Sequence, residues 1–231
     1  MKKIIIISGA RGNLGLATVN LFLEKGYTVV ATVSKGNLLG FMDDHESLKV
    51  YEVDATNSDS CNLFIDKVVT EFNQIDGVLL LVGGFAAGNL HTTKMADIEK
   101  QLQLNFATAF NLSQPVFEKM SLQPTGGKII FIGSKPGLSG KEAKGSLAYG
   151  LSKSLVFRLA EVINAEGKKK NITASVIVPG TMDTPANRKE MPDADFSTWV
   201  NPGDVAAAME FICSDNGTQL RETVLKVYGN T

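Results

Sequence analysis

Ile4-Ile5-Ile6-Ile7-Ser8-Gly9-Ala10-Arg11-Gly12-Asn13-Leu14-Gly15 is the stretch of this 231-residue chain that decides its fold. The isoleucines form a β-branched run without polar alternation, the pattern of a strand covered on both faces in a parallel sheet. A glycine-rich turn follows, and Leu14, Ala17, Thr18, Leu21 and Phe22 then recur at helical spacing. In that order, strand, glycine turn and helix point to a bound dinucleotide. Glycine permits positive φ and close backbone approach to a pyrophosphate, which free N–H groups at the helix start hold. Gly9, Arg11, Gly12, Asn13, Leu14 and Gly15 are therefore candidate cofactor-binding residues. An ordinary βα turn is the other reading of the same pattern.

Working outward, the alternation continues. Further strands are expected at Thr28–Val33, Leu48–Val53, Val78–Val82, Lys128–Ile132, Asn171–Val178 and Thr223–Tyr228. Amphipathic helical patterns lie around Cys61–Phe72, Ile98–Met120 and Ser146–Glu166. This predicts an α/β fold: a doubly wound, Rossmann-type parallel sheet of about seven strands with helices on both faces, in one domain over residues 1–231. Residues 181–203 form a long polar, proline-containing connection, which is expected to be a substrate lid.

In such a sheet, ligands sit at the carboxyl ends of the strands. The second strand ends at Ser34-Lys35, where dinucleotide folds commonly place a carboxylate that binds ribose and repels a 2′-phosphate. A hydroxyl and a cation stand there, with Arg11 as a further cation, so NADP(H) is favoured and NAD(H) is the alternative. Asp54, after the third strand, either meets the adenine edge or caps the next helix. Gly83 and Gly84 open a glycine-dense loop where the nicotinamide end would lie. Asn105 falls inside a helical pattern, a mediocre helix residue that either faces solvent or bonds something specific. Ser134 brings a hydroxyl to the same crevice. Tyr149 and Lys153, four apart, lie one turn apart on one helix face. A phenol titrates near pH ~10 in water, and a neighbouring cation would stabilise its phenolate.

Composition narrows the classes. With 23 Lys and Arg against 24 Asp and Glu, the net charge of -1 provides no electrostatic footprint for nucleic acid or an anionic membrane. Lys168-Lys169-Lys170 falls at a helix end, where cations complement the dipole. Cys61 and Cys213, far apart in helix-like sequence, suit free, unreactive thiols in a reducing cytoplasm, and no metal-ligand cluster is expected. The opening Met1-Lys2-Lys3 precedes an apolar run too short for a leader, and no run is long enough to span a bilayer. Asn171-Ile172-Thr173 accordingly reads as part of a strand, not a glycosylation site.

Taken together, the glycine motif, Asn105, Ser134, Tyr149 with Lys153, and Pro179-Gly180 with Thr184 resemble the short-chain dehydrogenase/reductases in order and approximate spacing. Within that family the chain looks most similar to the dihydropteridine reductases. Three segments carry this: Gly9–Gly15, Gly83–Asn89, and above all Asp183-Thr184-Pro185-Ala186-Asn187-Arg188-Lys189-Glu190-Met191-Pro192-Asp193-Ala194-Asp195-Phe196-Ser197-Thr198-Trp199. Departures are Asn13 in the glycine motif, Leu81-Val82-Gly83-Gly84 where Asn-Asn-Ala-Gly is usual, and Ser134 and Ser34 where pterin reductases carry a non-hydroxyl and an acidic residue.

The resemblance implies an NAD(P)H-dependent oxidoreductase that transfers hydride to a quinonoid dihydropterin-like substrate. Tyr149 would be the general acid, Lys153 would lower its pKa and hold the nicotinamide ribose, and Ser134 would bond the reacting atom. Asn105 would orient a water relaying protons to Lys153, or else be a satisfied structural residue. Pro179, Gly180 and Thr184 join the cofactor site. Phe85 would stack on a flat substrate or simply pack, and Arg188 and Trp199 would close the lid. A general carbonyl or ketoacyl reductase is the alternative, and a non-catalytic dinucleotide-binding sensor is the alternative of another class. Leu104, Phe110, Leu155 and Leu159 are either core or the interface of a homodimer or homotetramer.

Overall fold

The computed structural model describes residues 2–37 and 45–230; Met1, residues 38–44 and Thr231 lie outside that description. The strands are β1 (Ile4–Ser8), β2 (Thr28–Val33), β3 (Leu48–Glu52), β4 (Gly77–Leu80), β5 (Gly127–Ile132), β6 (Ile172–Pro179) and β7 (Val224–Val227). They form one sheet in the order β3-β2-β1-β4-β5-β6-β7, and every neighbouring pair is parallel. The helices are α1 (Asn13–Glu24), α2 (Ser58–Phe72), α3 (Met95–Leu102), α4 (Thr108–Leu122), α5 (Lys135–Leu138), α6 (Leu147–Gly167), α7 (Pro185–Glu190) and α8 (Pro202–Cys213).

Both faces of the sheet are covered, as its apolar strands require. On one face Ile4, Ile6 and Val78 pack with Phe64 and Ile65 of α2, Leu112 and Val116 of α4, and Val156 of α6. On the other, Ile5, Ile7 and Leu79 pack with Val19 and Phe22 of α1 and with Val205 and Met209 of α8. Every residue of β1 is buried, which accounts for a run of isoleucines where a half-exposed strand would alternate. Chain direction around the sheet reverses between β1 and β4, so a crevice opens at their carboxyl ends.

The expected strands all form, with bounds moved by one or two residues. Val78–Val82 stops at Leu80 because Leu81 N donates to Ser8 Oγ (3.0 Å) and the chain leaves the ladder. The single helix expected over Ile98–Met120 begins at Met95 and is divided by a π-helical turn, Gln103–Ala107. The long connection contains α7 and a 3₁₀ turn, Phe196–Thr198. Cys61 and Cys213 are buried free thiols, and burial pushes their pKa values up to about 11 and about 12. Phe110 and Leu155 stay exposed at 40% and 39%, whereas Leu159 packs against the core and Leu104 is half-buried.

Candidate active site

The glycine turn is built as its sequence requires. Gly9 takes φ +66° directly after β1, with its backbone against Val82; a Cβ there would lie 3.2 Å from Val82 N. Gly15 lets α1 cross the turn, since a Cβ would stand 2.3 Å from the Gly9 carbonyl oxygen. The α1 N-cap is Gly12, and no side chain caps the helix. A helix start without a side-chain partner, against a backbone surface free of Cβ atoms, fits a pyrophosphate. Arg11 and Asn13 flank it on the exposed surface, and Leu14 is buried beneath.

Ser34 and Lys35 are exposed in the turn after β2. Asn37 N donates to the Ser34 carbonyl (3.1 Å), and Asn37 Nδ2 donates to Ser34 Oγ (2.9 Å). Asp54 does not cap α2: Asn57 does, accepting from Ser60 N at 2.9 Å. Asp54 instead accepts from Thr56 N (2.9 Å) and Thr56 Oγ1 (2.6 Å), and these bonds hold its carboxyl below the usual range. An Asx-type turn thus leaves Asp54 exposed just after β3.

Across the crevice, the loop after β4 is fixed by Asn105. This side chain is buried in the π turn, accepts from Gly84 N (2.9 Å) and donates to the Gly84 carbonyl (3.0 Å), Gln101 Oε1 (2.8 Å) and Ser152 Oγ (3.2 Å). The reading of Asn105 as solvent-facing is therefore overturned: it is a satisfied residue that clamps the glycine loop. A methyl group on Gly83 would stand 2.7 Å from Asn105 Oδ1 and 3.2 Å from Lys153 Nζ, so both atoms press on that backbone.

Tyr149 and Lys153 project from the first turns of α6. The helix start is tied to the same loop, since Leu147 N donates to the Gly88 carbonyl (2.8 Å) and Gly88 N to that of Gly145 (2.9 Å). Lys153 is buried, and its Nζ donates to the Ile132 carbonyl at 2.8 Å. Burial lowers its pKa to about 8. Ser134, at the end of β5, is also buried and caps α5, accepting from Gly137 N at 3.3 Å. It shares a side-chain hydrogen bond with Tyr149.

The phenol departs from the expectation. Burial raises the Tyr149 pKa, the bond with Ser134 opposes that rise, and Lys153 makes no resolved contribution. Sequence spacing placed the cation on the right face of the helix, but its ammonium is directed to a main-chain oxygen of β5. The Phe85 ring lies edge-on to Tyr149 with centroids 5.2 Å apart, and is 63% exposed. It forms an open aromatic wall beside the Tyr149 ring.

On the other side, Gly180 N donates to the Val227 carbonyl (2.8 Å), tying the end of β6 to β7. Pro179 closes β6. Thr184 is buried and caps α7 through Asn187 N (3.2 Å). Arg188 forms a forked pair with Asp183 (2.5 and 2.7 Å) and stacks over Phe196 at 4.7 Å, while Phe196 packs on Trp199 with centroids 4.7 Å apart. Arg188 and Trp199 are thus brought together through Phe196. A separate cavity of about 540 Å³, lined by Pro136, Leu138, Ala143, Leu147, Gly150 and Leu151 among others, includes none of Ser134, Tyr149 or Lys153.

Sequence reasoning missed Gln101 and Ser152, which bond Asn105, and Glu52, whose Oε1 accepts from Gly36 N (2.7 Å) in the turn after β2. Gln101 and Ser152 carry no signal beyond being polar residues in helices. Glu52 could have been found from the pairing of the second and third strands, since it lies opposite Val33.

A family model described as short chain dehydrogenase matches residues 3–195. A 7alpha-hydroxysteroid dehydrogenase of Bacteroides fragilis is 30% identical, covering 98% of this chain and 93% of the relative. A 3-oxoacyl-[acyl-carrier-protein] reductase, FabG, of Thermotoga maritima is 28% identical over 98% and 96%. A dihydropteridine reductase of Dictyostelium discoideum is 25% identical over 89% and 85%. The solved structure of ElxO with NADP bound superimposes with a TM-score of 0.90 at 25% identity, covering 99% of this chain and 98% of the other. With the family model spanning most of its length, the chain belongs to the short-chain dehydrogenase family.

Proposed function

We propose that this oxidoreductase reduces a flat, quinonoid dihydropterin-like substrate with NADPH, NADH being the second cofactor. The observation that carries this reading is the exposed Phe85 ring, edge-on to Tyr149 with centroids 5.2 Å apart. That is a proton donor beside an aromatic wall, suited to a planar ring. The likeness of segment 183–199 to pterin reductases and the Dictyostelium discoideum relative support the same class.

Tyr149 delivers the proton from its hydroxyl. With its pKa raised by burial, that hydroxyl stays protonated across neutral pH and is held in place by Ser134. A bound reduced nicotinamide would supply the hydride. Gly9, Gly12, Asn13, Leu14 and Gly15 hold the pyrophosphate, and Arg11, Ser34, Lys35 and Asp54 hold the adenosine end. Gly83, Gly84, Pro179, Gly180 and Thr184 border the nicotinamide end, and Tyr149 with Lys153 holds its ribose. Asn105 keeps the Gly83–Gly84 backbone against Lys153. Segment 181–203 acts as the lid, with Phe85, Ser134, Arg188 and Trp199 about the substrate. Phe110 and Leu155 join copies of the chain into a homodimer or homotetramer.

Rates of cofactor oxidation test the reading, with quinonoid dihydropterin, a cyclic ketone and a 3-oxoacyl thioester at equal concentration. Highest kcat/KM on the dihydropterin is the expected result. A faster thioester or ketone makes the protein a ketoacyl or general carbonyl reductase, a second reading favoured by the Ser134–Tyr149 bond and the Thermotoga maritima relative. Cofactor binding without oxidation by any acceptor would make it a sensor.

A further inference from the structure

The end of β2 lacks the carboxylate that commonly discriminates between the two nicotinamide cofactors, yet the fold supplies one from the adjacent strand. Val33 and Glu52 are the last paired residues of the β2–β3 ladder, which sets the Glu52 side chain beside the turn of residues 34–37. Its Oε1 accepts from Gly36 N at 2.7 Å. Gly36 has φ +76°, a conformation that favours glycine, and the turn is closed by Asn37 N to the Ser34 carbonyl (3.1 Å). Among the described residues, no Lys, Arg or His forms an ion pair with Glu52.

Resting on the reading that this turn seats the adenosine ribose, we propose that Glu52 is a specificity-determining residue that selects against a 2′-phosphate. Two physical effects act in that direction. The Gly36 N–H, a donor a phosphate would use, already bonds the carboxylate. A phosphomonoester carries a charge of about -1.5 to -2 at neutral pH, and it would enter beside a carboxylate without a cationic partner. A ribose hydroxyl meets neither obstacle, because it can donate to the carboxylate and accept from Ser34, whose oxygen is positioned by Asn37 Nδ2. Arg11 and Lys35 pull the other way. The wild-type site therefore discriminates between NADH and NADPH less than those two cations alone would dictate.

The test is equilibrium titration of reduced-cofactor fluorescence on the full chain, with NADH and NADPH separately, for wild type, Glu52→Gln and Glu52→Ala. Glu52→Gln keeps an acceptor for Gly36 N–H and removes only the charge. The expected result is a Kd for NADPH lowered by roughly tenfold, with that for NADH changed less than about twofold, and a difference that shrinks at high salt. Glu52→Ala should shift the ratio in the same direction. An unchanged Kd ratio in Glu52→Gln overturns the proposal, as does a change only in Glu52→Ala, which would make the residue a mere brace for the turn. If wild type binds neither cofactor, the dinucleotide reading falls and this proposal with it.

Discussion

The Lys153 ammonium donates to the Ile132 carbonyl oxygen at 2.8 Å, anchoring the buried cation to β5 two residues before Ser134. Burial lowers the Lys153 pKa to about 8, while burial raises that of Tyr149. Over neutral pH the phenol therefore keeps its proton, and the first group to lose one on raising pH is Lys153. Reductive turnover is expected to be level below neutrality and to fall as pH passes about 8. Measuring kcat against pH checks this; no inflection near 8, with turnover lost only above the ordinary phenol range, would assign control to the phenol.

The same depressed pKa bears on stability. The unfolded lysine holds its proton up to about pH 10.5 and the folded one only to about 8, so folding is opposed by the buried charge below 8. That opposition is relieved progressively as pH rises between those values. At about 1.36 kcal/mol per pKa unit, its size is about 3 kcal/mol, partly offset by about 1 kcal/mol for the bond to Ile132. Lys153→Met should raise Tm at pH 7 by a few degrees while abolishing turnover, and the gain should shrink towards pH 10. Thermal unfolding at pH 7 and pH 10 measures it, and a lower Tm at pH 7 would refute it.

Replacing Tyr149 by Phe removes the proton donor and leaves the glycine turn untouched. Turnover should fall by ~100-fold or more with cofactor Kd changed less than about threefold, as read by steady-state kinetics and titration. Retained turnover would exclude the proposed role.

Neighbouring glycines should differ. A methyl group at Gly84 would meet the tip of Leu104 at 2.8 Å, and a leucine side chain can turn aside. At Gly83 it would meet Asn105 Oδ1 at 2.7 Å and Lys153 Nζ at 3.2 Å, both held by hydrogen bonds. Gly83→Ala should cut kcat by ~10-fold or more and lower Tm, while Gly84→Ala changes each little. Equal effects would show that the Asn105–Lys153 side of the loop is not under constraint.

Segment 181–203 is held by its own contacts: Arg188 between Asp183 and Phe196, and Phe196 on Trp199. Arg188→Ala removes the middle member of that stack. If the segment is the lid we propose, KM for the substrate should rise several-fold and cleavage within the segment by a protease should quicken, with cofactor Kd nearly unchanged. Kinetics with limited proteolysis reads both effects.

The strands were legible because parallel, doubly covered strands must be apolar throughout, as Ile4–Ile7 and Val29–Ala31 are. That Tyr149 and Lys153 leave the same helix one turn apart followed from spacing. The polar interior was not legible. Asn105 gains its partners only when the π turn brings it over Gly84, and no local preference of Gln103–Ala107 announces such a turn. The partner of Lys153 is a main-chain oxygen, which carries no side-chain signature. Glu52 escaped notice because the carboxylate was sought on β2, whereas strand register delivers it from β3.

The sheet order has a consequence for how the protein assembles. β1 is bordered by β2 on one side and by β4 on the other, and Gly9 lies against Val82, so the two walls of the crevice come from segments about seventy residues apart. A nascent chain ending before Leu80 holds the glycine turn without its opposite wall, and Tyr149 arrives later still. Nucleotide capture therefore requires the β1–β4 pairing, and a ligand present during refolding can act only on species in which that pairing has formed.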